Sequence, residues 1–419
     1  MIDTAVHKNS IDSQDSQAIF YTAMQNGQTK RKSRTDATGG QRLFNRALEP
    51  IFGRLRRAAL GEPESSAPVI PLTRGELLAR RMAQKAVALA LQGGGVHGAF
   101  TWGVLDRILE EGILHIEAVS GTSAGALNAA VLASGLAEGG RERARERLQE
   151  LWEGIAAIGN LSPFRPGPLE SLTSSWNNDW TPGTFALEFL TKMLSPYQLN
   201  PFAINPLRQL IARIVDFERL RASPTKLFIS ATNVRTGRPR IFTTGEMSAD
   251  VVLASACLPS LNQAVEIEGE HYWDGGFTAN PALLPLVAEC ESNDIVIVQI
   301  TPAREPEVPM TARDIQGRVS RIVFNAPLHR ELETIAWMKE SGIANGNGDG
   351  AFAQKLNHLR LHHINATEVT RPLGTASALH AEWSMIAHLR EQGSARAAEW
   401  LSSDGARIGV ESTAVMQEF

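Results

Sequence analysis

The chain has 419 residues, of which 43% are hydrophobic and 21% charged, and its formal net charge is −4. That length allows one large domain with additions or two modest ones, and the apolar share allows a sizeable core. The charge excludes nucleic-acid binding driven by a bulk basic surface. The two cysteines, Cys257 and Cys290, form neither a disulfide framework nor a metal-binding pattern, and are expected as buried thiols in a reducing compartment.

The N-terminal stretch MIDTAVHKNSIDSQDSQAIF lacks the basic start and apolar run of a secretory signal. No stretch approaches the roughly 18 apolar residues needed for a membrane span. The expectation is a cytoplasmic protein, with contact at a membrane surface as a peripheral option. Residues 1–40 are polar and read as a disordered tail. In residues 41–85, QRLFNRALEPIFGRLRRAAL sets Leu43, Ala47, Ile51 and Leu55 near one helical face, with Arg42, Arg46, Arg54, Arg56 and Arg57 on the polar side. Pro50 interrupts it. Such a segment suits either an anionic membrane or a dock on its own domain. GEPESSAPVIPL then reads as a linker.

From residue 86 the pattern changes. AVALALQ is a short apolar run suited to a buried parallel strand. HGAFTWGVLDRILEEG follows as a helix, with Gly112 beyond its end. IEAVSGTS is a second strand and AGALNAAVLASGLAEGG a second helix; TKLFISATNV and NDIVIVQI are further strands. This alternation implies an α/β fold around a largely parallel sheet. An insert at 157–205, carrying Trp176, Trp180, Phe185, Phe189 and Tyr197, is either a cap over a site or a packed excursion. Beyond 305, TARDIQGRVSRIVFNAPLHRELETIAWMKE and ASALHAEWSMIAHLREQGSARAAEWLSS read as amphipathic helices.

Chemistry concentrates at two strand-to-helix turns. GTSAG supplies Gly121, Ser123 and Gly125 in a G-x-S-x-G pattern, in which a sharp turn projects the serine hydroxyl outward. The following helix aims its N-terminus at the same place, where its N–H groups favour developing negative charge. One unit earlier, GGGVHG offers Gly93, Gly94, Gly95 and Gly98. Adjacent turns of one sheet emerge at the same carboxyl edge, so Gly93, Gly94 and Gly95 are expected to direct backbone N–H groups toward Ser123 as an oxyanion hole. A dinucleotide reading competes, because GGGVHG satisfies G-x-G-x-x-G. Glu117, its acid by spacing, starts the second strand instead of ending it.

A serine nucleophile needs a base, and no histidine stands convincingly. His97 shapes the glycine run, and His358, His362 and His363 read as structural. HYWDGGFTANPALLPL offers Asp274 before Gly275 and Gly276, a tight turn able to thrust a carboxylate into a site.

Taken together, the glycine-rich turn, the G-x-S-x-G serine, ASACLPS at 254–260, Asp-Gly-Gly and SPYQLNPFAINPL resemble the bacterial branch of the patatin-like phospholipases. The resemblance covers about 86–300. It implies a three-layer α/β fold, with a largely parallel central sheet and helices on both faces; the amphipathic helices beyond 305, outside the resemblance, add a mainly helical C-terminal extension at 301–419, expected to pack on the core. It implies a serine acyl hydrolase that cleaves lipid carboxylic esters, in the manner of a phospholipase A or lysophospholipase. Ser123 would be the nucleophile and Asp274 its proton acceptor. Gly93, Gly94 and Gly95 would form the oxyanion hole, and Gly98, Gly121, Gly125, Gly275 and Gly276 would support the turns. No metal or cofactor is called for. Two alternatives stay open: a non-catalytic lipid-binding or regulatory protein on this fold, and a hydrolase of triacylglycerol or polyester.

Overall fold

The computed structural model describes residues 84–160, 190–340 and 350–414, apart from 192 and 375. All of these fall within the unit Thr73–Phe419. The tail at 1–40, nearly all of the basic segment and linker at 41–85, and most of the insert at 157–205 lie outside the described residues.

Continuous apolar runs become the central strands. These are β1 (Lys85–Leu91), β2 (Leu114–Gly121), β3 (Lys226–Asn233), β4 (Pro239–Thr243), β5 (Val265–Ile267), β6 (Glu270–Asp274), β7 (Asp294–Gln299) and β8 (Arg360–Asn365). The sheet order is β5-β6-β3-β2-β1-β7-β8, with β4 paired to β3. β3, β2, β1, β7 and β8 run parallel to one another. β4, β6 and β5 form the antiparallel end.

The helices that matter for the site are α1 (Gly98–Glu111), α2 (Ala124–Asn160), α3 (Ala249–Ser255), α4 (Leu284–Glu289), α5 (Ala312–Glu340) and α6 (Trp383–Ser403). α1 stops at Gly112, whose φ of 63° caps it in the left-handed region. α2 is broken at Gly139 and Gly140, where the sequence GG interrupts an otherwise continuous run.

Strand periodicity divides the core. Val87, Leu89 and Leu91 of β1 pack with Phe100, Leu105, Trp152 and Leu389 on one face. Ala88 and Ala90 pack with Leu283, Leu286, Leu328 and Leu332 on the other. The sheet is thus sandwiched: α1, α2 and α6 lie on one side, α4 and α5 on the other. This is the three-layer α/β arrangement with C-terminal helices. α6 lies tight on α1, since a Cβ at Gly103 would strike the Arg390 carbonyl and one at Gly393 the Phe100 carbonyl.

Candidate active site

β1 and β2 are parallel neighbours with Leu91 opposite Gly121, so the turns that leave them lie side by side at one edge of the sheet. The Thr122 N–H donates to the Leu91 carbonyl at 3.3 Å and ties one turn to the other. Close approach explains the small residues: a Cβ at Gly125 would meet the Leu91 carbonyl, and one at Gly98 would lie 2.6 Å from the Ala124 Cβ. Gly121 is likewise closed off by the Gly125 carbonyl at 2.6 Å.

Ser123 has a φ of 55°, the left-handed region that a bare side chain avoids. Its backbone is held there from both ends. Its N–H donates to the Ser255 hydroxyl at 2.9 Å. Its carbonyl accepts the Ala126 and Leu127 N–H groups at 2.9 and 3.1 Å, in the first turn of α2. Ser123 is 8% exposed, so the residue lies just beneath the surface.

Asp274 closes β6 and is fully buried. Its N–H donates to the Cys257 carbonyl at 2.8 Å. Its Oδ1 accepts the Gly276 N–H at 2.7 Å, and its Oδ2 is buried without a hydrogen bond. Burial pushes its pKa up to about 7, against the lowering influence of the Gly276 amide and the Ser123 side chain beside it. The neighbouring glycines are again steric: a Cβ at Gly275 would meet the Ser230 carbonyl, and one at Gly276 the Phe324 ring.

β3 brings the two distant stretches together. Gly121 of β2 registers with Ile229, and Asp274 of β6 with Ala231. Two residues of one strand therefore set the separation between the serine turn and the carboxylate.

The glycine turn departs from expectation at one atom. The Gly93 N–H donates to the Asn280 Oδ1 at 2.7 Å, so it already has an acceptor within the protein. Among the described residues, no acceptor takes the Gly94 or Gly95 N–H. Gly95 has a φ of 60°, a conformation that glycine adopts without strain. His97 follows in a buried 3-10 turn, its Nε2 2.7 Å from the Ser377 hydroxyl. Burial, and secondarily the Arg321 charge, lower its pKa to about 4, so it is neutral at physiological pH. His362 and His363 belong to the body of the sheet, against Asp294 and Gln299 respectively. Both thiols, Cys257 and Cys290, are buried, and burial pushes each up to about 12.

Sequence reasoning missed Ser255 and Asn280. Ser255 stands inside ASACLPS, a stretch that resemblance singled out without giving it a task. Asn280 is a lone amide before a proline, with no spacing to mark it. Chemically, the arrangement offers a hydroxyl on a sharp turn, a buried carboxyl that can hold or release a proton near neutrality, a helix N-terminus and two open amides.

Comparison with known proteins follows the same stretches. The patatin-like phospholipase family model matches residues 89–287. VipD from Legionella pneumophila is similar at 18% identity and a TM-score of 0.34, over 74% of this chain and 67% of VipD. Full-length ExoU, in complex with SpcU from the type III secretion system of Pseudomonas aeruginosa, is similar at 16% identity and a TM-score of 0.27. That match covers 76% of this chain and 53% of ExoU, so the chain spans about half of ExoU's length. No curated protein matches the chain. Among the described residues, no helix is long and apolar enough to cross a membrane.

Proposed function

Residues 89–287 are a patatin-like phospholipase domain, and from that premise we propose that the chain hydrolyses acyl esters of lipids through Ser123 and Asp274. The observation that carries the proposal is the pairing of a strained serine turn with a buried carboxyl whose pKa lies near 7, both pinned to β3. The domain extends over about 86–300, with 301–419 as a mainly helical extension that also adds β8 to the sheet.

In this scheme the Asp274 carboxylate takes the proton of the Ser123 hydroxyl as Oγ bonds to the acyl carbon. The carbonyl electrons move to the oxygen, which the Gly94 and Gly95 N–H groups and the N-terminus of α2 stabilise. Gly93 acts as a spacer. The tetrahedral species collapses, the leaving alcohol carries off the proton from Asp274, and the acyl group stays on Ser123. Water then adds to the acyl-enzyme, Asp274 accepts its proton, and the fatty acid leaves as serine is re-protonated. A carboxylate is a weak base toward an alcohol, so the amides and helix dipole supply much of the barrier lowering.

A lipid substrate agrees with the surface at 193–204, which carries no charged residue. Met193, Tyr197, Phe202 and Ile204 are all exposed there, Phe202 at 84%. Aromatic and apolar side chains of this kind suit peripheral contact with a membrane surface. Cytoplasmic residence is part of the same proposal.

A fluorophosphonate probe tests the chemistry. The wild-type protein is expected to be labelled at Ser123 and the Ser123→Ala variant to stay unlabelled. Labelling of both alike, or of neither, removes the acyl-hydrolase reading and leaves a lipid-binding protein on this fold. Hydrolysis of phospholipid, lysophospholipid and triacylglycerol dispersions then ranks the substrate classes.

A further inference from the structure

Resting on that acyl-hydrolase reading, we propose that Asn280 is the positioning residue of the oxyanion turn. It holds Gly93 in place so that the next two amides, on Gly94 and Gly95, stay aimed at the reacting carbonyl.

Asn280 is fully buried, and both ends of its amide are engaged. Its Oδ1 accepts the Gly93 N–H at 2.7 Å, and its Nδ2 donates to the Phe324 carbonyl at 3.0 Å. The side chain is therefore a two-ended link between the glycine turn and α5. No other side-chain type of this size offers one acceptor and one donor at a fixed separation without a charge. A charge here would sit beside the developing oxyanion.

The residue before it does the complementary task. The Ala279 carbonyl accepts the Thr122 hydroxyl at 2.7 Å, on the serine turn. The Ala279 N–H in turn donates to the Gly275 carbonyl at 2.8 Å, on the aspartate turn. Two consecutive residues thus tie the glycine turn, the serine turn and the aspartate turn to one another. The sequence marks only the three turns and not the segment that joins them.

α5 supplies the anchor. Phe324 and Asn325 are successive residues, and each holds a successive residue of the glycine turn. Phe324 holds Gly93 through Asn280, while the Asn325 Oδ1 accepts the Gln92 Nε2 at 2.8 Å. Gln92 is itself fixed, since its Oε1 accepts the Ile300 and Thr301 N–H groups at 2.9 and 2.8 Å. Asn325 also donates to the Pro302 carbonyl at 3.0 Å. Every amide in this network has both ends satisfied, which makes it stiff. Deleting one member leaves a buried donor and a buried acceptor without partners.

Geometry at an oxyanion hole acts on the transition state more than on the bound ester. The Asn280→Ala variant should therefore lose roughly tenfold to a hundredfold in kcat, less than the ~10²- to 10³-fold typical of removing a donor outright. KM for a soluble ester should change little. Binding of a trifluoromethyl ketone, which forms an oxyanion on Ser123, should weaken by the same factor as kcat/KM falls. Asn280→Ser, with a shorter acceptor, should fall between wild type and Asn280→Ala. Asn325→Ala, at the parallel link, should show the same parallel losses and serves if the Asn280 variants do not fold. Folded variants with wild-type kcat overturn the proposal, as do losses in kcat that leave trifluoromethyl ketone affinity untouched. These outcomes are separable from failure of the hydrolase reading, because that failure appears first as a wild-type protein that fluorophosphonate does not label.

Discussion

Two buried aspartates, on strands toward opposite sides of the sheet, are treated in opposite ways. Asp294 opens β7, and its carboxylate accepts from Arg360 through Nε at 2.9 Å and Nη2 at 2.7 Å. It also lies 3.0 Å from the His362 Nε2 and accepts the Gly409 N–H at 2.8 Å. These partners overcome the opposing effect of burial and hold the Asp294 carboxyl well below the ordinary carboxylate range. Asp274 closes β6 with one amide donor, an oxygen left without a hydrogen bond, and a pKa raised to about 7. A carboxylate saturated with donors is a fixed anion that staples β7 to β8 and the chain's last described turn. A carboxyl kept short of donors can still exchange a proton. Under the proposed function, the contrast sets a stabilising group against one poised to take part in chemistry.

The comparison breaks most sharply at the reactive pole. Asp274→Asn should cut kcat/KM by roughly 10⁴-fold while the protein stays folded, as measured by ester turnover and circular dichroism. A variant with more than a tenth of wild-type activity would deny Asp274 its assigned task. At the other pole, Asp294→Ala leaves the Arg360 charge without its partner in a largely enclosed position. It should lower stability by about 3–5 kcal/mol in a denaturant titration, with kcat of the folded fraction unchanged.

Proton linkage sharpens the contrast further. The folded Asp274 carboxyl keeps its proton to about pH 7, whereas its ordinary value is 3.8. Between those values the native state binds more protons than the unfolded state, so this group's contribution to stability falls as pH rises, and the full penalty stands above pH 7. Asp274→Asn should therefore be more stable than wild type at pH 8, on the order of a few kcal/mol, with the difference vanishing near pH 4. The same pKa should appear as an acid limb in kcat/KM, with activity rising through about pH 7. Smallest in effect is Ser255→Ala, which strips the Ser123 N–H of its acceptor. It should cost about 1–3 kcal/mol in stability or an equivalent loss in kcat/KM.

Much of this site is readable in the chain because each turn announces itself locally. Glycine runs at 93–95 and 275–276 and the G-x-S-x-G at 121–125 are dictated by close backbone approach, a constraint that acts over a few residues. The alternation of apolar strands with helices exposes the three layers for the same reason. What escapes is non-local. Nothing near Gly93 in the chain marks Asn280, 187 residues on, as the acceptor of its N–H. Ser255 is one serine among several until folding brings it against Ser123. The environment that raises Asp274 and lowers Asp294 is likewise assembled from strands far apart in sequence, and the letter D carries none of it.

The shared register on β3 has one more consequence. Because Gly121 and Asp274 are both measured off against Ile229 and Ala231, the spacing of the proposed Ser123 and Asp274 pair does not depend on how much polypeptide is threaded between them. Residues 122 to 273 can lengthen, shorten or be wholly rewritten at their outer loops while the hydroxyl and the carboxyl keep their appointment. A strand used as a ruler leaves the periphery free to diverge in what it recognises.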